Sequence, residues 1–96
     1  MQMDSGTKTG SGQIENSSLQ VMVIEFHARA SNTDPVYVGV SDVSAENGRE
    51  LPPGESFTMN FALAYEIDRR HPDILFSQFY VEQPGNHAVD WSGIFR

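Results

Sequence analysis

The sequence predicts an all-β protein, an antiparallel β-sandwich or a small jelly-roll-like barrel with an extended N-terminal arm. The run VYVGV at residues 36–40 is β-branched and aromatic, which suits a pleated, half-buried surface. Along residues 55–64, apolar and polar side chains alternate with the period of two of a strand. Asn47-Gly48 and Pro53-Gly54 favour tight turns between such runs. Roughly six strands are expected from this pattern.

Residues 1–18 are predicted to form the extended N-terminal arm, and residues 19–96 the β-sandwich domain. The arm is rich in Gly, Ser, Thr, Asn and Gln, and Ile14 is its only large aliphatic side chain after Met3. Such a segment buries too little apolar surface to fold by itself. We therefore expect a neighbouring chain to order it.

The first long strand is predicted over residues 19–30. An alternation of apolar and polar side chains indicates that one of its faces packs on the core and the other meets water. The apolar face carries Met22, Ile24, Phe26 and Ala28, and the polar face carries Glu25, His27 and Arg29. A turn follows at residues 32–35, where proline fixes φ and the Asn or Asp side chain bonds to nearby backbone.

Two further strands are predicted over residues 36–40 and 55–64. Between them, residues 41–54 are expected to form a long polar loop with a minor hairpin tip at Asn47-Gly48. Residues 65–73 are rich in charge and end near Pro72, which predicts a connection with one helical turn.

The C-terminal part is predicted to contain a strand over residues 74–82, a turn over 83–86 and a last strand over 87–91. The alternation slips between Phe76 and Phe79, which indicates a β-bulge. The two sheets are expected to share one core. Its predicted members are Ile24, Phe26, Val38, Phe57, Phe61, Phe79, Val89 and Trp91.

The size and charge of the chain limit its functions. Its 96 residues make one small domain without cysteine, so association with other subunits would add stability. A net charge of −7 with only six Lys and Arg residues argues against nucleic-acid binding. No run is long and apolar enough to cross a bilayer, so we expect a soluble, unprocessed product without a membrane partner.

No pattern in the sequence predicts catalysis, a cofactor or a metal site. A G-x-S-x-G motif is missing, and the glycine-rich run 6–12 lacks the spacing of a phosphate loop. The three histidines, His27, His71 and His87, match no metal-ligand spacing. Several acidic or amide side chains in the loops are conceivable calcium ligands, but they lack a regular spacing and are expected to face solvent. These are Asp34, Asp42, Glu46, Asn47 and Glu50.

The tyrosines indicate a function better than the possible catalytic or metal-binding residues do. A tyrosine combines apolar area with a polar group, a type enriched at protein interfaces. Trp91 is expected in the core, and the same interpretation stays open for Tyr37. A carbohydrate-stacking platform at Tyr37 or Trp91 is the alternative, and it requires exposed rings. The predicted interface residues are Ile14, Tyr37, Tyr65, Arg69, Arg70 and Tyr80.

Residues 32–56 follow the pattern N-x-x-x-V-Y-V-G-x-S-x-V-S…N-G…L-P-P-G-E-S. This pattern resembles one that recurs in small β-structured virion proteins of tailed bacteriophages. It covers about a quarter of the chain. A looser similarity continues through residues 79–81, 84–85 and 89–91.

The resemblance implies a non-enzymatic structural role in the virion, with a head decoration or cement protein as the leading hypothesis. Such a protein would lie on the capsid exterior, after assembly in the host bacterial cytoplasm. Its partners would be the major capsid protein and sister copies of itself, with a homotrimer favoured. The alternatives are a tail, neck or fibre-associated module of the virion and, from another class, a carbohydrate-binding module.

Overall fold

The computed structural model describes residues 2–41, 43–44, 46–61, 74–85 and 87–96. They form two four-stranded antiparallel sheets, which confirms the all-β prediction. The strands within these ranges are β1 Gln2–Thr9, β2 Gly12–Gln13, β3 Val21–Ala28, β4 Val36–Gly39, β5 Arg49–Leu51, β6 Ser56–Asn60, β7 Tyr80–Glu82 and β8 Ala88–Phe95.

Sheet A has the strand order β1-β8-β3-β6. Its two central strands, β8 and β3, pair along most of their length, with one register shift between Val21 and Val23. The predicted strand over residues 19–30 is confirmed as β3. Its apolar face is buried and Glu25 is exposed on the opposite face, as the alternation predicts.

Sheet B has the strand order β2-β7-β4-β5, and its strands are short. β4 and β5 form a hairpin in which Val36 lies opposite Leu51. The predicted loop over residues 41–54 therefore contains a strand that the sequence pattern does not reveal. Arg49 and Glu50 are exposed and only Leu51 is buried, so β5 has too few apolar residues to show alternation.

The two sheets share one hydrophobic core. Phe57 and Phe61 were predicted in this core, but both are only half-buried. They lie in or just after β6, which within the described part of the chain has a neighbouring strand on one side only. The guanidinium of Arg49 from sheet B lies 4.5 Å from the centre of the Phe57 ring. The buried members are Ile14, Val21, Ile24, Phe26, Ala28, Val36, Val38, Leu51, Phe76, Phe79, Val81, Val89, Trp91 and Phe95.

The prediction of a strand over residues 74–82 is wrong for its first half. A three-residue 3-10 turn at Phe76–Gln78 precedes the short strand β7. The slip in alternation therefore marks this turn and not a bulge. The turn directs Phe76 into the core, where its ring centre lies 4.7 Å from that of Trp91 and 4.9 Å from that of Phe95.

The N-terminal segment belongs to both sheets of its own chain. Residues 2–9 form β1, which pairs along its whole length with β8, and β2 then pairs with β7. This segment is therefore not a free extended arm, because it pairs with strands of its own chain. Backbone hydrogen bonds to β8 and β7 hold the segment in place, so its polar side chains do not prevent it from forming strands. The predicted connection over residues 65–73 lies outside the described residues.

Candidate functional site

Sheet A presents a broad outer face to solvent. Gly6 of β1 lies opposite Trp91, whose ring is in the core, so even-numbered residues of β1 point inward and odd-numbered ones outward. The strand register aligns the outward side chains of the four strands in three rows, which together define the sheet A outer face. The rows are Met3-Ile94-Val23-Asn60, Ser5-Ser92-Glu25-Thr58 and Thr7-Asp90-His27-Ser56.

One end of this face is apolar and open. Met3 is 82% exposed, and beside it Ile94 and Val23 are half-buried. The three side chains lie along a shallow depression of about 520 Å³. Adjacent apolar side chains left open to solvent are typical of contact surfaces. This end of the face therefore has the character of a docking surface.

The other end of the face carries fixed charges. Arg29 donates from Nε and Nη2 to the two carboxylate oxygens of Asp90, each at 2.9 Å, and the Thr7 hydroxyl donates to Asp90 Oδ1 at 2.7 Å. The hydrogen bonds from Arg29 and then Thr7 lower the pKa of the Asp90 carboxyl, and Asp90 raises the pKa of the Arg29 guanidinium. Nearby, His27 Nδ1 lies 2.8 Å from Ser56 Oγ. These contacts hold the polar side chains in one arrangement.

The β1 strand leaves one edge of sheet A uncovered by any other strand in the described part of the chain. It is eight residues long, contains no proline and pairs with β8 without a bulge. Proline, bulges and short length are among the devices that protect a strand edge from other chains, and charged side chains are another. Of these devices β1 has only its two charges, Asp4 and Lys8. This edge lies directly beside the apolar end of the outer face, because Met3 belongs to both.

Sheet B presents two tyrosines on its outer face. Tyr37 and Tyr80 are half-buried, and the alternating buried residues of their strands point to the core. Tyr37 lines a depression of about 490 Å³ together with Asp34 and Glu82. Trp91, by contrast, is 7% exposed, so its predicted place in the core is confirmed and its ring is not a stacking platform.

Among the described residues, the structure places two of the predicted interface residues on one face and the third elsewhere. Tyr37 and Tyr80 share the outer face of sheet B. Ile14 is 6% exposed and packs in the core of its own chain, so it is not part of an exposed contact surface. Outside the described residues lie Tyr65, Arg69 and Arg70.

Sequence reasoning does not identify the apolar row of the sheet A outer face. Met3, Val23 and Ile94 come from three separate segments, and only the pairing of β1 with β8 and of β8 with β3 aligns them. Met3 lies in a polar segment without alternation, so no strand is predicted there. Val23 gives a weak signal, since it makes the start of β3 apolar on both faces.

Comparison of the chain with protein-family models, with curated proteins and with solved structures found no significant match. In the ranges that the structure describes, no group of His, Asp and Glu side chains is placed to hold a metal ion. Those ranges also contain no helix with the length and apolar character of a membrane crossing. The sheet A outer face is thus a candidate site on its geometry alone.

Proposed function

We propose that this chain is a non-enzymatic structural protein of a tailed-phage virion, a capsid decoration or cement protein that bridges neighbouring capsid subunits. One observation carries the proposal: on an otherwise polar sheet face, the outward side chains of Met3, Ile94 and Val23 form one apolar row, in which Met3 is 82% exposed and the other two are half-buried. Such a surface suits contact with another protein. The resemblance of residues 32–56 to small virion proteins supports the same role.

The proposed attachment uses the sheet A outer face. The apolar row would be buried against the capsid, and the fixed polar side chains around Arg29 and Asp90 would form part of the rim. Protein interfaces commonly combine an apolar centre with a polar, solvent-accessible rim. Binding that favours the intact shell stabilises the shell. Each copy needs to contribute only a little of this stabilisation, because the contributions of many copies add up.

Purified virions of the phage that encodes the chain test this proposal. Quantitative mass spectrometry gives the copy number for each particle, and cryo-electron microscopy gives the position. We expect many copies in a regular array on the head. Density confined to the tail, neck or fibres would support the alternative location, and absence from the particles would contradict a virion role.

A second candidate function, a carbohydrate-binding module, is favoured by the depression beside Tyr37. The Tyr37 ring offers a stacking surface, and the carboxylates of Asp34 and Glu82 offer acceptors for sugar hydroxyls. The Asp34 carboxylate also lies 3.2 Å from His87 Nε2, which holds it at the rim of the depression. Titration of the protein with oligosaccharides, followed by NMR, tests this candidate. Binding that is lost in Tyr37→Ala would support it.

A further inference from the structure

The uncovered edge of β1 has a defined set of backbone groups. Gly10 N–H donates to His87 O, just beyond the β1–β8 ladder. Backbone groups alternate in direction along an antiparallel strand, so the even-numbered residues of β1 bond to β8. The N–H and C=O groups of Met3, Ser5, Thr7 and Thr9 therefore point to the uncovered edge. In agreement, Ser5 N–H donates at 2.8 Å to the Asp4 carboxylate of its own chain and not to β8.

The side chains of β1 include one negative and one positive charge, Asp4 and Lys8. Both belong to the inward-pointing set of β1, on the same side as Gly6. Neither has an ion-pair partner among the described residues. Asp4 is exposed and Lys8 half-buried at this edge of the molecule.

We propose that β1 pairs antiparallel with β1 of a second copy of this chain, about a two-fold axis that places Gly6 opposite Gly6. In this register Asp4 of each copy lies opposite Lys8 of the other, so two opposite-charge pairs form. Other antiparallel registers that keep the outer faces of both copies on the same side of the joined sheet are less favourable. They either separate Asp4 from Lys8 or bring like charges together. Opposite charges in directly opposed positions stabilise strand pairs, and like charges destabilise them.

The backbone geometry fits the same register. The residues whose backbone groups point to the uncovered edge become hydrogen-bonded pairs, Met3 with Thr9 and Ser5 with Thr7. Each such pair exchanges both N–H···O=C bonds. Asp4 and Lys8 fall at the non-hydrogen-bonded pairs, where side chains approach more closely. The Ser5 N–H exchanges its bond to Asp4 for one to the partner's backbone, which frees the Asp4 carboxylate for the partner's lysine.

This pairing joins two copies of sheet A into one continuous sheet. It is two-fold, whereas the resemblance to virion proteins implies a trimer. The outer faces of both copies lie on the same side of the joined sheet, so their apolar rows would be presented together. The pairing does not depend on the proposed virion role, because it needs only a second copy of the chain.

Sedimentation velocity over a concentration series tests the pairing. We expect wild type to form a dimer and Ser5→Pro to remain a monomer with an unchanged circular dichroism spectrum. Proline at this position removes an N–H that points away from β8, so it blocks the edge and leaves the β1–β8 ladder in place. A wild-type chain that stays monomeric at its highest soluble concentration, or that forms a trimer, would overturn the proposal.

Charge reversal tests the register. Asp4→Lys and Lys8→Asp are each expected to raise the dimer dissociation constant about tenfold or more, since each creates two like-charge pairs. The double variant, with both charges reversed, restores the pairs and should dimerise like wild type. Glu50→Lys is the matched control, because it makes the same charge change on an exposed residue of sheet B. Failure of the double variant to recover would contradict the Asp4–Lys8 pairing.

Disulfide formation gives an independent measure of the register, since the native chain has no cysteine. Under mild oxidation, Asp4→Cys mixed with Lys8→Cys should give a cross-linked heterodimer, because directly opposed residues lie within disulfide range. Neither variant alone should cross-link. Rapid cross-linking of Asp4→Cys alone would show a different register and would overturn the proposal.

Discussion

Gly6 lies directly opposite Trp91 in the β1–β8 ladder, and a Cβ atom on Gly6 would lie 2.7 Å from Trp91 Cζ2. The backbone of β1 thus covers the indole ring, while Phe76 packs against it from inside the core. This close approach requires glycine at position 6. It explains how a polar N-terminal strand can help to close the core of the protein.

Substitution of Gly6 by Ala should therefore loosen β1. We expect a loss of about 1 to 3 kcal/mol in the free energy of unfolding, the usual cost of overpacking. Urea denaturation measures the loss, and hydrogen exchange shows whether the amides of β1 exchange faster. The control is Gly85→Ala, because a Cβ atom there would meet nothing within 4 Å. Equal stability of the two variants would contradict the contact between Gly6 and Trp91.

Truncation of phenylalanines to alanine should cost more stability at the centre of the core than at its edge. Phe26 is fully buried, so Phe26→Ala is expected to cost about 3 to 5 kcal/mol. Phe61 is half-buried after the edge strand β6, so Phe61→Ala should cost clearly less. Thermal and urea unfolding of both variants tests this order. A larger loss for Phe61 would contradict its half-buried position at the β6 end of the core.

The buried side chain of Asn32 ties its turn to β8. Its Nδ2 donates to Ala88 O at 3.0 Å, and its Oδ1 accepts from Ala88 N–H at 3.1 Å. Asn32→Ala should therefore lower the free energy of unfolding by about 1 to 3 kcal/mol, because both bonds are lost at a buried site. Asn16→Ala, at an exposed residue, is the control and should be neutral.

The Arg29–Asp90 pair should make stability depend on pH in acid. Because the pKa of the Asp90 carboxyl is lowered in the folded state, its contribution is present above the ordinary carboxyl value of 3.8 and is lost as pH falls through the lowered pKa. Asp90→Asn should thus be less stable than wild type at neutral pH, and the difference should disappear in strong acid. Urea unfolding at several pH values measures it. A difference that is constant with pH would exclude the charged carboxylate as its source. The effect should be small and sensitive to salt, since both side chains are partly exposed to solvent.

Several parts of the fold could be predicted because they leave a pattern along the sequence itself. β3 and β4 combine alternation with β-branched and aromatic residues, so their position and inward faces follow directly. Most of the predicted core residues are buried for the same reason. Trp91 is an example, since the alternation in the last strand places it on the same face as Val89.

Other parts of the fold depend on pairing or packing with distant segments of the chain, which a local sequence pattern does not reveal. β1, β2 and β5 are mostly polar and are held as strands by backbone bonds to β8, β7 and β4. The 3-10 turn at Phe76–Gln78 interrupts an apolar run, and tertiary packing of Phe76 decides its shape. The apolar row of the sheet A outer face exists only through the register of three strands, so it could not be predicted before that register was known.

The most direct test of the proposed attachment to the capsid is rebinding of purified protein to phage particles that lack it. The bound copies are counted after sedimentation of the particles. Met3→Asp places a charge in the apolar row, whereas Val40→Asp changes an apolar side chain that is also exposed, at 60%, but lies just beyond β4 in sheet B. We expect Met3→Asp to weaken attachment about tenfold or more and Val40→Asp to bind like wild type. Equal binding by wild type and Met3→Asp would contradict attachment through the sheet A outer face.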